Sequence, residues 1–174
     1  EPGTNFSFVN QGQIISFSPI FAEGLEDNPI NFKTNFDGSI DQYRANSKKK
    51  DYGFGISVIN AQKKSIIKYV IFDKLSSPSI TSQQSTTGSI NFYESDVEIT
   101  NSKFLNNLRG DDYLNIIRSK FLLSDNLFEN TNGDSVDIDF SNGEIKDTIF
   151  NKSLNDAIDF SGSNNKLIIP SASA

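Results

Sequence analysis

The residues in this sequence best suited to chemistry are aspartates. Asp134 and Asp156 lie 22 residues apart, Asp137 and Asp159 share that separation, and Asp139 follows Asp137 by two positions. Asp112 precedes Asp134 by a further 22. In a chain that coils with this period the members of each pair stack. Asp139 then shares a strand face with Asp137, because side chains alternate along a strand. Carboxylates ~5 Å apart repel, so a proton or a cation is needed between them and at least one pKa should rise. Three uses fit such a set. Aspartates at turns accept backbone N–H groups and order the chain. Carboxylates without His or Cys suit a hard cation, which makes calcium at Asp137, Asp139 and Asp159 the one cofactor to consider, although no twelve-residue calcium loop is present. Two carboxyls ~5–10 Å apart can act as acid and base on a glycosidic bond, with Asp134, Asp137, Asp139, Asp156 and Asp159 as the candidates.

Composition removes most alternatives. The 174 residues include 16 Lys+Arg and 22 Asp+Glu, for a net charge of −6, and no His, Cys, Met or Trp. Without Cys there is no disulfide, no thiolate nucleophile and no Cys-ligated metal. Without His the usual general base and the Ser-His-Asp triad are gone. An acidic chain lacks the Lys/Arg footprint of a nucleic-acid binder. No apolar run approaches the ~18 residues of a membrane span. The missing methionine and a first residue of Glu1 lead us to expect a processed product or one domain of a longer protein.

The elements that would position the aspartates come from an internal repeat. The segments 88–104, 111–128, 134–150 and 156–168 align in one register. Ile90, Leu114, Val136 and Ile158 are spaced 24, 22 and 22 residues apart. Phe92, Ile116, Ile138 and Phe160 keep that spacing, as do Ser95, Ser119, Ser141 and Ser163, and Ile99, Leu123, Ile145 and Leu167. Phe104, Phe128 and Phe150 form a fifth column, expected in the core. In Val136-Asp137-Ile138-Asp139-Phe140 apolar residues alternate with Asp, the period of a strand with one buried face. A turn is expected at Ser141-Asn142-Gly143, with a second strand from Glu144 to Lys146 and a third ending at Phe150. Asn101, Asn106, Asn130 and Asn142 are expected to take turn or left-handed conformations. Three short strands per 22–24 residues give a coil that hydrogen-bonds to the next ~4.8 Å away. A looser coil runs over 53–72, and Ile14–Phe17 with Pro29–Phe32 fit an opening coil.

These segments resemble right-handed parallel β-helix repeats, the pectate-lyase-like solenoids. More narrowly they are similar to β-helix domains of large bacterial surface proteins, some of which carry a CotH-like region. The resemblance spans about 53–169. It implies an all-β, right-handed parallel β-helix of about five to six coils. Such solenoids serve polysaccharide lyases, hydrolases and epimerases, and also adhesins without catalysis. Neither the His-containing epimerase motif nor a lyase Arg/Lys dyad is matched here.

The expected organisation is one domain. Residues 1–52 form the opening coil or N-terminal cap with a surface loop, 53–169 the repeats, and 170–174 a tail. Residues 33–52, with Lys48-Lys49-Lys50, and 76–87 are expected as surface loops. Arg118 should pair with Glu94 one coil below, or anchor an anionic sugar. Together with Tyr93, which points outward, and Asn115, it makes up the candidate ligand-binding set. Two functions follow. The first is a non-catalytic module of a larger secreted or cell-surface bacterial protein, serving adhesion, carbohydrate binding or spacing. Its partners would be a polysaccharide or surface glycan and neighbouring domains of the parent protein. The second is a polysaccharide hydrolase or lyase using the lateral Asp patch.

Overall fold

The computed structural model describes residues 1–34, 53–77, 86–162 and 164–168. Among them there is no helix, and so no helix long and apolar enough to cross a membrane. Among the described residues eighteen strands follow one another around a three-sided coil. The first rung is β1 (Asn5–Phe8), β2 (Gln13–Ser16) and β3 (Phe21–Glu23). The second is β4 (Ile30–Thr34), β5 (Gly55–Ile59) and β6 (Ser65–Lys68), and the third β7 (Val70–Asp73), β8 (Gly88–Tyr93) and β9 (Val97–Thr100). The fourth is β10 (Lys103–Leu105), β11 (Asp112–Ile117) and β12 (Lys120–Ser124). The fifth is β13 (Leu127–Thr131), β14 (Asp134–Asp139) and β15 (Asn142–Lys146), and the sixth β16 (Ile149–Ser153), β17 (Ile158–Ser161) and β18 (Asn164–Ile168). Every third strand pairs in parallel, giving three sheets of six strands. The protein is a parallel β-helix of six rungs. Residues 5–34 carry the three strands of the first rung and the first strand of the second.

The columns of the sequence are the register of the sheets. Leu114 pairs with Ile90 on one side and Val136 on the other, and Val136 pairs with Ile158. Inside, one phenylalanine stack runs the length of the molecule: Phe6, Phe32, Phe72, Phe104, Phe128 and Phe150, with neighbouring ring centroids 4.3–5.5 Å apart. Each buried ring contributes ~1.5–3 kcal/mol from burial. Stacking adds ~0.5–1.5 kcal/mol per pair. Ile90, Phe92, Ile99 and Phe104 are fully buried. Their equivalents stay buried through the fifth rung, but Phe160 and Leu167 in the sixth, the last described rung, are 42% and 48% exposed.

The three corners share one solution. A residue with positive φ turns the chain while its N–H keeps the ladder to the next rung: Glu94, Arg118 and Phe140 donate to the carbonyls of Ile117, Asp139 and Ser161 at 2.9, 2.9 and 2.7 Å. Asn101, Asn106 and Asn130 take this conformation, as expected, but Asn142 does not. The turn sits at Phe140-Ser141, and Asn142 begins β15, paired with Lys120 and Asn164. Ladder register decides the place: Phe140 falls in the corner column of Asn60, Glu94, Arg118 and Gly162, all with positive φ. One residue further on, buried serines zip the rungs together. Ser95 N donates to Ser119 Oγ (2.8 Å), and Ser119 N donates to Ser141 Oγ (3.0 Å).

The two insertions fall largely outside the described residues, Lys48–Lys50 included. The flanks of the second are not surface loop. Ser76, Ser77 and Thr86 are buried, and Ser77 N donates to the carbonyl of Arg109 at 2.8 Å, extending the ladder past the strand ends.

Candidate functional site

The acidic face is built on the sheet formed by β2, β5, β8, β11, β14 and β17. At the start of β11 two consecutive residues, Tyr113 and Leu114, are both buried in the core. Tyr113 meets the Phe104 ring edge-on at 5.5 Å, with its hydroxyl 2.7 Å from the Leu105 carbonyl. The residues flanking that pair, Asp112 and Asn115, therefore lie on the opposite side. One rung below, the same geometry lets Asn91 bond both the N–H and the carbonyl of Gly88 (2.9 and 2.8 Å). The outward column reads Ser57, Asn91, Asn115, Asp137, Asp159. Asp112 pairs with Asp134 in the neighbouring column.

The face steps from closed to open along the axis. Asp112 and Asn115 are buried, Asp137 and Asp139 half-buried, and Asp156 and Asp159 exposed. Burial first, with Asp111, Asp134 and Asp139 adding to it, lifts the Asp112 carboxyl from 3.8 to about 7, against a hydrogen bond from the Thr87 hydroxyl. Burial also leads at Asp137, reinforced by Asp112, Asp139, Asp159 and Asp134, and takes that carboxyl to about 7. Asp139 is raised by burial and then by Asp159. No Lys or Arg figures among the interactions that shift these three. The repulsion expected from the column spacing is thus present.

The candidate residues do not all belong to one site. Asp139, Asp159, Asp112 and Asp134 all act on Asp137, and Asp112 stacks on Asp134 as the 22-residue spacing predicts. Asp134 is a structural acceptor: its Oδ1 takes the Asp156 N–H at 2.8 Å and the Asn155 amide at 2.6 Å, capping the turn above. Asp156 does not contribute to the shifts at Asp112, Asp137 or Asp139. Among the described residues no group of three or more Asp, Glu, His or Cys is arranged to hold a metal ion. Asn115 is 1% exposed and donates to Asp137 Oδ2 at 2.7 Å, while its Oδ1 has no partner. Tyr93 and Arg118 sit around the corner from it. Arg118 donates to the Tyr93 hydroxyl (2.7 Å), lies 5.8 Å from the Tyr93 ring and 5.9 Å from the Phe140 ring, and pairs loosely with Glu94 at 3.9 Å. These contacts occupy both residues with each other.

A second feature was missed at the level of sequence. A groove of about 380 Å³ runs along the corner that leads into the phenylalanine-bearing sheet. Corner residues Tyr69, Asn101, Asp125 and Asp147 line it, together with Ile71, Lys103, Leu127 and Ile149 from the outer face of β7, β10, β13 and β16. Lys68 lies 5.4 Å from the Tyr69 ring. The signal was present in the repeat. The residue three before each core phenylalanine (Tyr69, Asn101, Asp125, Asp147) and the residue just before it (Ile71, Lys103, Leu127, Ile149) keep fixed offsets, but their types vary from rung to rung, so no type-based pattern marks them.

Comparison with protein-family models found no match, and no curated protein and no solved structure matches this chain.

Proposed function

We propose that this chain is a carbohydrate-binding β-helix module of a secreted or cell-surface bacterial protein, acting by binding and not by catalysis. The observation that carries the reading is the corner groove. It offers an apolar floor (Ile71, Leu127, Ile149) beside a polar margin (Asn101, Asp125, Asp147), the mixture that small-molecule and sugar sites use. Its polar groups recur once per rung, ~4.8 Å apart, an interval close to the repeat of an extended pyranose chain. Tyr69 supplies an aromatic face at one end. The resemblance of the repeats to pectate-lyase-like solenoids supports a glycan over other polymers, and the net charge of −6 speaks against nucleic acid.

The test is binding to a panel of polysaccharides by calorimetry, with Tyr69→Ala and Lys103→Ala as variants. Binding to at least one glycan, weakened about tenfold or more by either change at unaltered melting temperature, is the expected result. Wild-type affinity in both variants, or no glycan bound at all, would sink the proposal.

A second reading, hydrolysis of a glycosidic bond, is favoured by one observation. Asp137, at about 7, holds a proton near neutral pH, and the exposed Asp159 stands beside it in the column. That is the acid-and-base pairing such hydrolysis needs. Release of reducing ends from the same panel, abolished in Asp137→Asn, would replace the binding-only reading with this one.

A further inference from the structure

The two ends of the solenoid fit one another. Among the described residues, β1, β2 and β3 of the first rung pair on one side only, with β4, β5 and β6, and β16, β17 and β18 of the sixth pair only with β13, β14 and β15. Each end therefore presents three strand edges that pair with no further strand among the described residues. Natural sheets rarely leave such edges uncovered. The side chains between those edges are apolar and partly open: Phe6 at one end is 44% exposed, and Phe160 and Leu167 at the other are 42% and 48% exposed.

The register of the six rungs defines what would come next in each column. Above Phe150 the core phenylalanine stack would continue with an aromatic ring, and the first rung opens with Phe6. Above Ile158 the column would continue with a branched apolar residue, and the first rung carries Ile14 there. The bulky, protruding Phe160 and Leu167 need small partners. In their two columns the first rung carries Ser16 and Ala22. Large meets small at two columns and ring meets ring at a third. The outward acidic column would end on Ile15, so Asp159 would gain no further carboxylate neighbour.

We propose that the chain associates with copies of itself head to tail, the sixth rung of one molecule docking on the first rung of the next so that all three sheets run on through the junction. The joint is heterologous, since two different surfaces meet, and every added copy presents a fresh end. Assembly is therefore open-ended. Net charge of −6 per copy opposes it, so added salt promotes it.

Sedimentation velocity of the 174-residue chain over a range of concentrations and salt tests this. The expected result is a distribution that shifts to larger species with concentration and with salt. Phe160→Lys blocks one end and Ser16→Lys the other, the latter giving up the hydrogen bonds between Ser16 Oγ and Ser18. Circular dichroism and melting temperature check that each variant is folded. Each variant alone is monomeric, while an equimolar mixture stops at a dimer, because each supplies the one good end that the other lacks. A wild-type chain that stays monomeric at its solubility limit in high salt overturns the proposal. So do folded variants that still assemble alone, or a mixture that forms nothing beyond monomer.

Discussion

Asp112 and Asp137 give the molecule an unusual pH response. Their folded-state carboxyls sit at about 7, above an ordinary 3.8. Between those two values the folded chain holds protons that the unfolded chain has released. Stability therefore falls as pH rises through this window, and the burden of burying charge is complete above about 7. No histidine titrates in that window, because the chain has none. The melting temperature should rise as the buffer is taken from pH 8 to pH 5. Asp112→Asn should raise it at pH 8 and flatten the slope, since the amide keeps an acceptor for Thr87 without the charge. A melting temperature that drops steadily from pH 8 to pH 5 in the wild type would contradict the reading. The mutual repulsion of Asp137, Asp139 and Asp159 was legible in their spacing. The spacing also stacks Asp112 on Asp134, but its burial was not legible, because that depends on Tyr113 and Leu114 both turning inward.

At the scale of the strands and corners, stacking carries the fold. Phe128 is fully buried between Phe104 at 4.3 Å and Phe150 at 5.2 Å. Phe128→Ala should cost ~3–5 kcal/mol, read as a lower midpoint in denaturant unfolding. Phe140 offers the contrast. It is 61% exposed and held at φ 50°, a conformation unfavourable for a bulky side chain, and a Cβ on Gly162 would lie 2.6 Å from its ring. Phe140→Asn should leave stability within ~1 kcal/mol of wild type or raise it, because Asn tolerates the left-handed region. Equal losses at both positions would refute the division between stacked core and surface corner. The turn expected at Asn142 shows the limit of residue type as a guide. Local propensity favours Asn, but ladder register assigns the corner to the column of Asn60, Glu94, Arg118 and Gly162 and so to Phe140.

For the whole molecule the repeat builds the body and leaves the outermost described rungs less covered than the interior ones. Interior rungs bury their columns on both sides, while the first and sixth expose Phe6, Phe160 and Leu167. The sequence by itself determined the β-helix, its period and which residues share a column, because each rung repeats its apolar spacing and side chains in a stacked sheet follow sequence offset directly. The tertiary structure alone decided which aspartates feel one another, where a groove opens, and that Arg118 and Tyr93 are engaged with each other. Burial, corner conformation and the distance between neighbouring columns arise only when the three sheets close around one core, and a linear offset encodes none of them.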